Sequence, residues 1–168
     1  YIRRAVEFWM DEFGIDGLRL DVAYLLPGWF MEYLRRVVRG RRQDFFLMGE
    51  VIHNQNFKEN LTPDRLDSIT NYECYKGLTS ALNSDNLFEI EHSLERLFGA
   101  QPWCLYTGKN LFNFVDNHDV PRAYTALKDK RKLPAMYAIL YSMPGIPCVY
   151  YGSECGAEGD KSDNDYRL

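Results

Sequence analysis

An α/β fold on parallel strands is predicted by two observations. Short apolar runs alternate with amphipathic helical segments along the chain, and three of the runs end on an acidic residue. Asp21 closes Gly17-Leu18-Arg19-Leu20-Asp21, Glu50 closes Phe45-Phe46-Leu47-Met48-Gly49-Glu50, and Asp119 closes Leu111-Phe112-Asn113-Phe114-Val115-Asp116-Asn117-His118-Asp119. A parallel sheet or barrel aims side chains from different strands at one place beyond its C-terminal rim, so three carboxylates at strand ends point to a shared site.

The elements read as follows. Ile2, Val6, Trp9, Met10 and Phe13 recur at helical spacing, and Gly14 supplies a stop. Tyr1 falls inside this periodicity, which predicts a chain that continues upstream. A short strand spans residues 18–21. A second helix presents Trp29, Phe30, Tyr33, Leu34 and Val37/Val38 and ends at Gly40. Strands follow at residues 45–50 and, more weakly, 66–71, with a polar stretch from Val51 to Pro63 between them. Helices are expected over 75–82 and 87–98, the second with Leu87, Ile90, Leu94, Leu97 and Phe98 on one face. A strand at 111–115, helices at 121–127 and 133–142, and a last strand at 148–151 complete the pattern. Repeated strand–helix units with short connections imply right-handed crossovers. Five strands are either an open sheet or the C-terminal five-eighths of a (β/α)8 TIM barrel, since a full barrel needs at least about 200 residues and the chain has 168.

Composition narrows the function. A net charge of -4 and the absence of a basic stripe argue against nucleic acid. The run Arg35-Arg36-Val37-Val38-Arg39-Gly40-Arg41-Arg42 reads as a solvated helix end. No membrane span is apparent. Aromatics at 15% suit a protein that stacks flat ligands such as sugars, although most will be core or rim. Cys74, Cys104, Cys148 and Cys155 lack the spacing of a zinc site, and Cys148 reads as a buried thiol. The lack of evident disulfide pairing leans to the cytoplasm over secretion.

Alternation places Arg19 and Asp21 on one side of their strand. A guanidinium beside a carboxylate holds it ionised and oriented, as a nucleophile requires, whereas a structural ion pair is the plainer account. Glu50 follows Gly49, which allows close approach of another chain or a ligand. In a partly apolar pocket near another carboxylate, a glutamic acid suits a general acid. His118 can donate to a sugar hydroxyl, and Asp119 can accept from two. A nucleophilic carboxylate, a carboxylic acid and hydroxyl-binding groups together describe glycoside cleavage by double displacement.

These segments resemble the signature regions of the α-amylase family of glycoside hydrolases, family 13. Gly17-Leu18-Arg19-Leu20-Asp21-Val22-Ala23 is similar to its fourth-strand motif and Gly49-Glu50-Val51 to its fifth. Phe114-Val115-Asp116-Asn117-His118-Asp119 is similar to its seventh, and the run from Met143 to Glu154 to its eighth strand and following loop. The resemblance covers nearly the whole chain and favours neopullulanase- or cyclomaltodextrinase-like members or a bacterial α-amylase. It implies strands 4 to 8 of a catalytic barrel, with residues 1–168 a fragment of it.

The resemblance implies catalytic roles for Asp21 as nucleophile, Glu50 as acid and base, and Asp119 as the third carboxylate. Arg19, Asn117 and His118 become substrate-binding. Many members carry Lys-His shortly after the nucleophile, binding the product-side sugar and a calcium ion. Tyr24 and Leu25 stand there instead, which argues against a calcium contact from this loop and makes Tyr24 a candidate sugar contact. A structural calcium would take ligands mostly outside this sequence, and no metal ligand is assigned within it. His53 resembles the Glu-x-x-His of neopullulanase-like members and is a candidate for the acceptor sugar. The implied partner is an α-glucan, and the implied reaction is retaining hydrolysis of α-1,4-glucosidic bonds. A transglycosylase, isomerase or phosphorylase of the same family, or an inactive barrel serving as a binding module, are the competing readings. Two unpaired sheet edges predict that the fragment alone is poorly soluble, dimeric or inactive, and leave a homo-oligomer open.

Overall fold

Helix α1 (Ile2–Phe13) ends on Gly14, whose φ of 59° is the left-handed turn that glycine adopts without strain. The computed structural model describes residues 1–52 and 57–160. These residues form two compact units, the first spanning Tyr1–Thr70 and the second beginning at Asn71.

In the first unit, β1 (Gly17–Leu20), β2 (Phe46–Gly49) and β3 (Ser68–Ile69) form a parallel sheet in that order. Register pairs Gly17 with Phe46 and Leu20 with Gly49. Asp21 and Glu50 therefore leave the sheet at the same level, one residue beyond the last pair. Helix α2 (Gly28–Arg41) joins the first two strands and packs on α1. Its buried stripe is Met31, Leu34 and Val38, a spacing of three and four, while Trp29 is 68% exposed and Tyr33 also faces solvent. Of the expected apolar face, Leu34 and Val38 are buried, whereas Trp29 and Tyr33 are not. The expected stop at Gly40 is also displaced: the helix continues through Gly40 to Arg41, and the Arg42 N–H closes on the Val38 carbonyl. A short helix α3 (Phe57–Asn60) lies within the polar stretch between Val51 and Pro63.

The arginine run around the end of α2 is largely engaged by local carboxylates. Arg41 pairs with Asp11, and Arg42 with Asp16 and Asp44. Arg35 forks onto Asp67 at 2.6 and 2.7 Å, Arg39 adds a contact at 2.9 Å, and the Leu47 N–H donates to the same carboxylate at 2.8 Å. Asp67 thereby ties α2 and β2 to the entry of β3.

In the second unit, Asn71 opens α4 (Tyr72–Ser84) by accepting from the Cys74 N–H at 3.0 Å. This cap starts the helix three residues earlier than expected. Helix α4 crosses α5 (Phe88–Phe98) so closely that a Cβ on Gly77 would sit 2.6 Å from the Ser93 hydroxyl. Strands β4 (Phe112–Phe114) and β5 (Ile146–Cys148) pair in parallel. The last strand was expected two residues later. Gly145, at φ 121°, completes the turn at once, and the Ile146 N–H already bonds the Leu111 carbonyl at 2.8 Å. Two polar side chains pin this turn. Asn71 Nδ2 donates to Asn113 Oδ1 at 2.8 Å, and Asn113 Nδ2 donates to the Pro144 carbonyl at 2.8 Å. The helix expected over 121–127 shrinks to α6 (Ala123–Ala126), because Arg122 is extended, at φ -53° and ψ 140°. Helix α7 (Leu133–Ser142) matches expectation. All four cysteines are free thiols. Cys148 is half-buried rather than buried, and Cys74 and Cys104 are the buried ones. No helix among the described residues is long and apolar enough to cross a membrane.

Burial pushes the Asp67 carboxyl up, but Arg35, the Leu47 N–H and Arg39 outweigh it and hold it below its ordinary value. A carboxyl lowered in the folded state stabilises the fold above its unfolded value, about 3.9, and loses that contribution as pH falls through the folded value. Asp67→Asn is expected to cost about 1–3 kcal/mol at neutral pH. In urea titrations of both proteins, the gap should narrow below about pH 4; a gap independent of pH would remove this role from Asp67.

Candidate active site

Arg19, on β1, reaches past the end of the strand and binds two carboxylates. One guanidinium nitrogen pairs with Asp21 and the other lies 3.2 Å from Glu50 Oε2. The alternation expected from sequence is therefore observed, with Arg19 and Asp21 on one side of the strand. The two carboxylates differ in setting. Glu50 is only 5% exposed, whereas the Asp21 side chain is 71% exposed.

Glu50 also organises the turn after β1. Its Oε2 accepts the Val22 N–H at 3.1 Å, its carbonyl accepts the Ala23 N–H at 2.8 Å, and its own N–H donates to the Leu20 carbonyl at 2.8 Å. Val22 is held at φ 46° and ψ 41°, a left-handed conformation rare for a β-branched residue. Such a backbone costs about 1–3 kcal/mol and persists only where its surroundings impose it. Gly49 is required by close packing: a Cβ there would lie 2.6 Å from Leu66 Cδ1 and 2.7 Å from Ala23 Cβ. Tyr24 sits half-buried on the 3-10 turn Ala23–Leu25, three residues past Asp21. His53 lies outside the described residues.

The second unit carries the other predicted group on the loop after β4. Asn117 Oδ1 accepts the Asp119 N–H at 2.8 Å, and His118 Nε2 lies 3.0 Å from Asp119 Oδ2. Asn117 Nδ2 is 3.4 Å from the Tyr72 hydroxyl. Asp119 and His118 are both open to solvent. Two residues not anticipated from sequence stand at the loop's ends. Asp116 is 1% exposed and Arg122 is 3% exposed, and both bind Ser153. Asp116 lies inside the Phe114–Asp119 motif and Arg122 just beyond it, but nothing in their sequence setting marks either as buried. Among the described residues no group of three His, Cys, Asp or Glu side chains is placed to hold a metal ion.

The first unit thus offers an exposed carboxylate and a buried one sharing a guanidinium, a pairing suited to attack by one and proton transfer by the other. The loop of the second unit offers donors and acceptors suited to hydroxyls.

The model of the α-amylase catalytic domain matches residues 1–167. A cyclomaltodextrinase from a Bacillus species is 33% identical over 171 residues, covering 95% of this chain and 28% of that protein. A maltogenic α-amylase from Bacillus acidopullulyticus is 30% identical over 162 residues, covering 95% of this chain and 27% of the relative. Among solved structures, the ligand-free cyclic α-maltosyl-(1→6)-maltose hydrolase from Arthrobacter globiformis aligns with a TM-score of 0.80. It is 28% identical, over 94% of this chain and 36% of that one. The chain spans little more than a quarter of the length of the two sequence relatives.

Removing the guanidinium should expose what it holds. Arg19→Gln is expected to lower stability by about 1–3 kcal/mol, because the buried Glu50 carboxylate loses a charged donor. Arg19→Lys should recover only part of it, since an ammonium cannot fork onto two carboxylates in the same way. Urea denaturation of the two variants reads both effects, and full stability in Arg19→Gln would contradict them.

Proposed function

This chain belongs to the α-amylase family, and we propose that it carries the principal carboxylates of an enzyme that hydrolyses α-1,4-glucosidic bonds in maltodextrin-type glucans with retention. The observation that carries this reading is the Arg19 fork onto Asp21 and Glu50. Two carboxyl groups that leave neighbouring strands at one level and share a guanidinium support a retaining pair, whose members lie about 5–5.5 Å apart.

Asp21, open to solvent, attacks the anomeric carbon and forms a glycosyl-enzyme. Glu50 gives a proton to the departing glycosidic oxygen. A water then enters, Glu50 takes its proton, and the hydroxide displaces Asp21 with a second inversion. Arg19 keeps Asp21 aimed. Asp119 and His118 hold hydroxyls of the sugar at the cleavage point, Asn117 orders their loop, and Tyr24 and His53 contribute to the product side. The five strands correspond, in this reading, to strands 4 to 8 of an eight-stranded barrel, which accords with the share of the relatives that the chain covers. The substrate is an α-glucan. A structural calcium would take ligands mostly outside this sequence, and no step above depends on one.

In the full-length protein, Asp21→Asn should lower turnover of maltotriose roughly 10^4-fold or more while glucan binding persists. NMR of the nascent product should show the α-anomer first. Unchanged turnover in the variant, or a β-anomer product, would refute the assignment. Product analysis with maltotriose, starch and cyclodextrins separates hydrolysis from transfer to a second sugar.

A further inference from the structure

Asp116 is a buried carboxylate to which no role falls in the chemistry above. It is the residue immediately before Asn117-His118-Asp119, at the exit of β4. Its Oδ2 accepts the Ala123 N–H at 2.8 Å and the Ser153 hydroxyl at 2.5 Å. The first of these bonds joins the beginning of the loop to its end, so that residues 117–122 are enclosed between a side chain and the N-terminus of α6. The second joins the loop to the segment after β5.

Arg122 braces the far side. Its Nη1 donates to the Tyr151 carbonyl at 2.5 Å and lies 3.3 Å from the same Ser153 hydroxyl. Its guanidinium rests over the rings of Tyr150 and Tyr151, 4.3 and 4.8 Å from their centroids. The Arg122 N–H donates to the Gly159 carbonyl at 2.9 Å. Ser153 is thus the common point, donating to Asp116 and accepting from Arg122. Both ends of the exposed loop are fastened to one buried polar knot.

The knot carries a cost to stability. Asp116 Oδ1 and Arg122 Nε are buried and have no hydrogen-bond partner among the described residues. An apolar pair of similar size would fill this volume without unsatisfied atoms. It could not, however, close the loop by accepting two donors at one oxygen. Burial also pushes the Asp116 carboxyl up, against the Ser153 hydroxyl and the Ala123 N–H.

We propose that Asp116 is a positioning residue: through Ala123 and Ser153 it fixes the loop that presents Asn117, His118 and Asp119, with Arg122 bracing the opposite end. The inference rests on the reading of Asp119 as a catalytic carboxylate. A group that must meet the substrate in a strained geometry loses on the order of 100-fold in rate for a displacement of about 1 Å, so a loop open to solvent needs fixed ends.

The test uses the full-length protein and a nitrophenyl α-maltoside, whose good leaving group keeps weak turnover measurable. Asp116→Ala should lower kcat roughly 100-fold. Ser153→Ala, which leaves the bond to Ala123 in place, should lower it about tenfold. Asp116→Asn should recover most of the loss, because its amide oxygen can accept the same two bonds. In an Asp119→Asn background the Asp116→Ala change should add little, since a residue acting through Asp119 has nothing left to place. Unchanged kcat in folded Ser153→Ala and Asp116→Ala overturns the proposal, as do equal losses with and without Asp119. If Asp116→Ala does not fold, Ser153→Ala decides alone. Unchanged turnover in Asp119→Asn alone would instead overturn the catalytic reading beneath the proposal.

Discussion

A single guanidinium holding two carboxylates from neighbouring strands is the interaction on which the first unit's site depends. Two carboxyl groups stand side by side, and one of them, Glu50, is almost wholly removed from water. A buried polar group is costly unless it is hydrogen-bonded. Arg19 and the Val22 N–H both stand as donors to it. The Val22 bond lies at the left-handed turn, so the strained backbone beyond β1 and the buried carboxylate beyond β2 hold each other in place. The absence of a Cβ at Gly49 lets Ala23 settle against the sheet, which brings the turn within reach. Strand, turn and side chains at this corner form one connected unit.

The second unit solves a related problem by different means. Its strands are only three residues long, too short for a ladder to define where the following loops go. Buried polar side chains take over. Asn71 and Asn113 lock the start of α4 to the turn before β5, and Asp116, Ser153 and Arg122 lock the exits of both strands. The Asn71–Asn113 and Asn113–Pro144 bonds are between neutral groups. The charged knot sits beside the exposed loop and leaves two atoms unsatisfied. Aromatic packing of Tyr72 and Tyr75 on Phe114 covers the strand between them.

The strands were legible in the sequence because short apolar runs ended by a polar or acidic residue signal a strand and its exit. The parallel pairing and most of the helices follow from the strand–helix alternation, and the approach of Arg19 to Asp21 follows from the alternation of side chains along β1. What was illegible has physical causes. Trp29 is apolar in sequence yet solvent-facing, because the buried stripe of α2 is set by Met31, Leu34 and Val38. Pro144-Gly145-Ile146-Pro147 reads as a turn throughout, but the turn is finished at Gly145, and Pro147 fits a short strand where its missing N–H costs little. Asp116 and Arg122 look like surface residues by type, since charged side chains are almost never fully buried unless paired. Their shared partner Ser153, far along the chain, joins the two.

The register of β1 on β2 sets unequal tolerances for change in chain length. The segments joining the strands can gain or lose residues at small entropic cost, because loop closure depends only weakly on length. Inside Gly17–Leu20 or Phe46–Gly49 the same change is of another kind. One inserted or deleted residue reverses the side on which every later side chain of that strand emerges, turning Arg19 away from Glu50 or Asp21 away from both. Divergence, or deliberate grafting, is therefore free to act on irregular stretches outside α2, whose buried Met31, Leu34 and Val38 fix its own register, while the lengths of two four-residue strands stay fixed.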